Sequence, residues 1–233
     1  MHSAGPFFIE AEFLSRELGK DSLSYAIALS NLGNFYVADG NPIRAQPLLT
    51  KALRIYETSL GPECADLAPV LGGLAAVAFS ERRFTLATPY LQRALQIVHK
   101  NYGPDSTHVA EAESLIASLL LKQGRPQEAQ APLEHANAIF RASYGETHYN
   151  VTESFLISGE VYARQHRRVD AESAYQASIA GFEGALGDRH VKIGEALRQY
   201  ANVLKTTDKG RARILERRSR SILAAAQTGL DGQ

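Results

Sequence analysis

Apolar residues recur along this chain at helical spacing. Leu29, Leu32, Gly33 and Tyr36 fall at i, i+3, i+4 and i+7, one face of a helix. "DGNP", residues 39–42, breaks the pattern, with Asn41 placed as the N-cap and Pro42 in the first turn of a second helix. Ala45, Leu49, Ala52, Leu53 and Tyr56 mark that helix, which stops at Leu60-Gly61. Glycine there can take the left-handed conformation that closes a helix. No stretch alternates apolar and polar residues as a half-buried strand does.

The pair of helices repeats. Gly19, Gly61, Gly103, Gly145 and Gly187 are each 42 residues apart, a period that belongs to repeat arrays. Leu71, Leu74, Ala75 and Ala78, then Ala87, Leu91, Ala94 and Leu95, restate the two helices one period on. Small residues hold the places where helices approach closely, and large ones fill between them. Two positions depart: Glu113 is apolar in the other units, and Ser158 replaces a leucine. The position three after each corner glycine reads Ser22, Cys64, Ser106, His148, His190. A site that accepts all three residue types reads as a helix start, not a nucleophile.

"LSNLGNFYVADGNPIRAQPLLTKALRIYETSLGPE", residues 29–63, resembles a tetratricopeptide repeat of the kinesin-light-chain-like subtype, and "YGPDSTHV" and "YGETHYNV" resemble its corner. The resemblance covers nearly the whole chain. It implies an all-α, right-handed α-solenoid (superhelix) of stacked antiparallel helix pairs. The expected organisation is a single array over 1–233. It holds a half repeat or N-terminal helix at 3–18, and repeats at 20–61, 62–103, 104–145 and 146–187. A degenerate capping repeat comes next at 188–223, its second helix shortened, and then a fraying tail at 224–233. Because the array begins mid-repeat, the reading leans to a fragment or a gene product trimmed at its start, the alternative being that the first helix is a cap.

Composition narrows the function classes. Lys+Arg and Asp+Glu are both 25, so no whole-molecule field draws the chain to nucleic acid or membrane. One cysteine excludes an intramolecular disulfide framework. The longest apolar run, Val70–Phe79, is too short to span a bilayer, and no signal peptide is visible, so the expected location is cytoplasmic. The seven histidines form no metal spacing, and Gly72-Gly73 lacks the flanking residues of a phosphate loop. The expectation is no enzyme, no cofactor and no metal.

The resemblance also implies that the first helix of each unit lines a concave groove. Opposite each packing face, helical geometry selects Ile27, Ser30, Asn34 and Val37; Gly72, Ala76 and Phe79; Ser118 and Leu121; Leu156, Glu160 and Arg164; Arg198 and Asn202. The groove is apolar or small in the first two units and charged in the last two. The Gly72-Gly73 pair has two readings, tight helix packing or a bare floor for a peptide. Some family members clamp a peptide's C-terminal carboxylate with a Lys/Asn/Asn/Lys/Arg set. Asn34 matches one asparagine, whereas Ser30, Gly73, Glu111 and Leu115 do not match the rest, so an apolar or mixed segment is the expected ligand.

From Asp188 onward the chain carries ten basic and five acidic residues. Lys209, Arg213, Arg217 and Arg220 share a helical face, either a solvated cap or a patch for an anionic partner. The functional expectation is a non-enzymatic scaffold that binds a peptide segment or partner protein. The alternatives are a regulatory or sensory segment of a larger protein and an anion- or nucleic-acid-binding module.

Overall fold

Each repeat must reverse the chain twice, and the two reversals have different backbone solutions. A computed structural model describes residues 13, 19 and 21–231. The half repeat expected over 3–18 lies outside the described residues, Phe13 apart. Among the described residues the secondary structure is helical throughout: α1 (Leu23–Ala38), α2 (Pro42–Leu60), α3 (Leu67–Ser80), α4 (Phe84–Tyr102), α5 (Thr107–Lys122), α6 (Pro126–Tyr144), α7 (Tyr149–Arg164), α8 (Arg168–Leu186), α9 (Val191–Leu204) and α10 (Lys209–Asp231).

The turn inside each of the first four pairs is closed by a residue in the left-handed region: Gly40 (φ 71), Arg82 (φ 59), Gly124 (φ 75) and His166 (φ 61); between α9 and α10 the turn keeps negative φ, and Thr207 and Asp208 N–H both donate to the Leu204 carbonyl. After α1, Asn41 N–H donates to the Tyr36 carbonyl and Gly40 N–H to that of Val37. This double bond is the Schellman arrangement, and it satisfies carbonyls that the helix end leaves open. The same two bonds recur at Arg82–Arg83, Gly124–Arg125 and His166–Arg167. The turn between pairs uses the corner glycines. Gly61, Gly103, Gly145 and Gly187 have φ 89, 83, 78 and 81 with ψ near 170, a region open to glycine alone. Nothing lies within 4 Å of where their Cβ atoms would be. Backbone conformation, not crowding, therefore dictates glycine there.

The position three after each corner caps the next helix. Ser22 Oγ accepts from Tyr25 N–H at 3.2 Å and Ser106 Oγ from Val109 N–H at 3.3 Å. The Nδ1 atoms of His148 and His190 accept from Asn150 and Lys192 N–H. Asn41 also caps as its sequence position implied, accepting from Arg44 N–H. Cys64 caps most weakly: the Leu67 N–H reaches its thiol, but sulfur is a weak acceptor, and α3 starts only at Leu67, after a residue with no side-chain cap bond.

Packing divides the chain into two compact units, Met1–Leu119 and Leu120–Gln233. In the first, α1 packs on α2, α3 on α4, and α2 and α1 both on α3. Leu29, Leu49, Ile55, Leu67, Val70 and Leu71 form its main core, with Tyr25, Leu53 and Cys64 against them. The apolar run at Val70–Phe79 is the buried helix α3, and no helix among the described residues is long and apolar enough to cross a membrane. In the second unit, α6 packs on α7, α7 on α8, α8 on α9 and α9 on α10. Its core is built from Tyr175, Phe182, Ile193, Leu197, Tyr200 and Leu204. Close approach depends on missing side chains: a Cβ on Gly159 would strike the Tyr175 ring at 2.6 Å, and one on Gly33 would strike Leu49.

The last helix differs from the expectation. It has 23 residues and runs to Asp231, so the second helix of the final unit is not shortened and its helix continues through residues expected to be tail. Its inner side packs on α9, where Ser219 Oγ donates to the Gly194 carbonyl at 2.7 Å and Ala212 and Ile222 are buried.

These turns and caps set expected outcomes for stability and reactivity. Arg82→Gly and His166→Gly relieve a left-handed backbone and should each stabilise the chain by up to about 1 kcal/mol, while Gly103→Ala should cost about 1–2 kcal/mol. Urea unfolding checks both signs. Burial pushes the Cys64 thiol up, so its alkylation by iodoacetamide at pH 8 should run several-fold slower than that of free cysteine. An equal or faster rate would return Cys64 to the reactive thiols.

Candidate partner-binding site

In the first unit α1, α3, α4 and α5 enclose a cavity of about 530 Å³. Its walls are Val37, Ala68, Gly72, Ala76 and Leu115, and Leu91 and Val98 of α4 lie beneath. The polar groups are few: Asn34, Asp66, Tyr102, His108 and Glu111. Four groove residues expected from sequence, Asn34, Val37, Gly72 and Ala76, come together here. The two glycines divide their roles. Gly73 is buried, and a Cβ on it would run into Asn34 Oδ1 and Leu49, so it serves packing. Gly72 lines the cavity, where an added Cβ would meet only Leu115 Cδ1 at 3.7 Å.

In the second unit α7 and α9, with Lys122, border a shallow open hollow of about 650 Å³. It gathers Glu160, Arg164, Arg198 and Asn202, again as sequence spacing placed them. Glu160 accepts two bonds from Arg164, at 3.2 and 2.9 Å. Lys122 and Arg198 have no carboxylate partner among the described residues, which leaves the pocket cationic.

Other expected groove residues lie elsewhere. Ser30 is 5% exposed, Leu121 2% and Leu156 7%, so these three do not present side chains to a groove. A stripe drawn opposite one packing face assumes a helix with one neighbour. α1 packs on both α2 and α3, and α7 on α6, α8 and α9, so the open stripe is narrower. Leu156 joins the core around Tyr175 and Leu197, and Leu121 sits in the last turn of α5, where its carbonyl accepts from Gly124 N–H. Phe79 is half-buried, its ring edge-on to Phe84 at 5.7 Å. Ile27 is half exposed on α1; like Ser118 it lines neither cavity.

On α10, Lys209, Arg213, Arg217 and Arg220 are exposed, and none of the four has a carboxylate partner among the described residues. The remaining cations near them are committed: Arg211 to Glu172, Arg218 to Glu183, and Lys205 to Glu216. Helix α10 thus sorts its charges, one side tied to its own unit and one side open.

Sequence reasoning missed a third cavity, between α6, α7 and α8, lined by Asn137 and Ser158 among others. The signal was present as departures from the repeat at those two positions. Elsewhere the titrating groups behave as structural ones. Burial, then Glu153, pushes the Tyr149 phenol up, and burial does the same to Tyr175. Among the described residues no three His, Cys, Asp or Glu side chains are grouped to hold a metal.

Comparison with known proteins agrees with this architecture. The tetratricopeptide repeat family matches residues 24–81 and 66–142, together just over half of the chain. No curated protein sequence matches. Among solved structures, BtubC (BKLC) from P. vanneervenii superposes with a TM-score of 0.73 at 19% identity, covering 99% of this chain and 90% of that one. A putative kinesin light chain from Podosopora anserina with nearly identical TPR-like repeats superposes with a TM-score of 0.67 at 19% identity, covering 88% and 98%. A point variant of that protein gives 0.66 at 19% identity, covering 86% and 95%. Identity at this level speaks for the fold, a kinesin-light-chain-like array of helix pairs. With the family matching across its first three repeats and the fold shared along its length, this chain belongs to the tetratricopeptide repeat family.

Proposed function

We propose that the chain is a non-enzymatic scaffold that binds a peptide segment of a partner protein in the cavity lined by α1, α3 and α5. Tetratricopeptide repeats generally mediate protein–protein interaction. The observation that carries the reading is the cavity of about 530 Å³ whose wall is cut back to Gly72, Ala76 and Ala112 over an apolar floor. Apolar surface of this kind stabilises a complex by about 25 cal/mol per Å² buried, and a few anchoring side chains in a pocket carry most of the affinity. The mixed lining selects a segment with an apolar anchor and backbone groups able to meet Asn34. Among the described residues the cavity lining offers no lysine or arginine to a carboxylate-terminated ligand.

A second reading, an anionic partner, is favoured by the open cations of α10 and, in the same unit, by Lys122 and Arg198. It describes a separate surface and is tested separately.

Gly72→Gln separates binding from folding. Replacing glycine inside a helix stabilises it by about 0.5–1 kcal/mol, and the longer side chain occupies the cavity. The variant should melt at or above the wild-type temperature yet lose partners in affinity capture from the native host. Retention of the same partners would remove this cavity from the proposal. For the anionic reading, binding to polyglutamate and to single-stranded RNA should weaken steeply with salt, and Arg213→Gln with Arg217→Gln should flatten that dependence. A flat response in the wild type sinks it.

A further inference from the structure

We propose that the cavity between α6, α7 and α8 is a further binding site, which takes the cationic side chain of a partner segment, an arginine or lysine, over the Asn137–Ser158 pair. Position 137 is apolar in the other three full repeats, as Leu53, Leu95 and Ile179, and position 158 corresponds there to Leu32, Leu74 and Ile116. In the first unit the matching pair, Leu53 and Leu74, belongs to one apolar cluster. Here the pair is polar. Asn137 Nδ2 donates to Ser158 Oγ at 3.1 Å, and Ser158 Oγ donates to the Ser154 carbonyl at 2.9 Å. Asn137 Oδ1 is buried and has no hydrogen-bond partner among the described residues. Buried acceptors without donors are rare because they lose hydration for nothing. An occupant rich in N–H groups supplies what is missing.

The surroundings select a cation. The cavity holds about 770 Å³, room for a long side chain, and carries the carboxylates of Glu134, Glu146 and Asp170 against one cation, Arg141. Arg141 is committed to Glu146 at 2.7 Å, and Asp170 is held by Arg167 at 2.8 Å. Among the described residues Glu134 accepts only from the neutral Gln130 amide, so no cation balances its charge there. Burial, and next the field of Glu134, push the Tyr162 phenol up. The two aromatic rings of the lining already carry cations, Arg141 over Phe155 at 5.7 Å and Arg167 over Tyr162 at 4.4 Å, the geometry a guest cation uses. Gly181 has a separate explanation, since a Cβ there would strike Thr152.

The test is a titration of the full chain, monitored by amide NMR, with capped Ala-Ala-Arg-Ala-Ala, its lysine counterpart, and the neutral isostere with citrulline. The arginine peptide should shift the Asn137 side-chain amide and the Ser158 backbone amide saturably, with at least tenfold weaker binding for citrulline. The double variant N137L/S158L restores the apolar pair of the first unit; it should melt no lower than wild type and lose the response. Equal binding of citrulline, an unchanged response in the double variant, or no saturable shift in the wild type overturns the proposal. Should the double variant not fold, Glu134→Gln, at an exposed position, takes its place: arginine binding should weaken several-fold, and unchanged affinity overturns the proposal equally.

Discussion

The left-handed turn is the constraint on which the rest of this structure depends. A helix pair of fixed length closes only if the chain reverses at fixed places, and every reversal up to α9 puts one residue at positive φ. Gly40, Arg82, Gly124 and His166 do so within the pairs, and Gly61, Gly103, Gly145 and Gly187 between them. Their Schellman bonds and corner bonds satisfy carbonyls that a helix end leaves open. Once these turns are set, the facing residues of each pair are set with them, and the interior can be filled by Leu, Ile and aromatic side chains against Ala and Gly.

Tolerance is distributed unevenly around these turns. The corner between pairs admits only glycine, because its φ and ψ are closed to residues with a Cβ. The turn within pairs admits Arg and His at a modest cost, since the left-handed helical region is open to them. The capping position after the corner is looser still. Serine hydroxyl and histidine Nδ1 both accept an amide proton there, whereas Cys64 makes a poor acceptor and α3 starts late. The one thiol of the chain is thus a weak cap packed beside a core.

Hollows arise where the repeat is under-filled. Gly72 and Ala76 leave an apolar hollow in the first unit, and Asn137 with Ser158 leaves a polar one in the second. The same departure from large apolar residues has opposite chemical results, because the first removes atoms and the second also adds hydrogen-bonding groups. Helix α10 adds a third kind of surface by pairing some of its cations with acids of its own unit and leaving four open.

The 42-residue period, the helix pairs, the corner glycines and the N-caps were legible in the sequence by itself, since they rest on local backbone preference and on the spacing of apolar residues within one helix. That Asn34, Val37, Gly72 and Ala76 lie together was legible for the same reason: they share a helix face or its repeat equivalent. What local spacing could not decide is how many neighbours each helix has. A helix with two or three neighbours buries more of its surface than one stripe, which is why Ser30 and Leu156 turned inward. Nor could it tell Gly72 from Gly73, or reveal that Asn137 and Ser158, 21 residues apart, meet. Those outcomes depend on contacts between helices, and only the tertiary structure determines which side chains face each other.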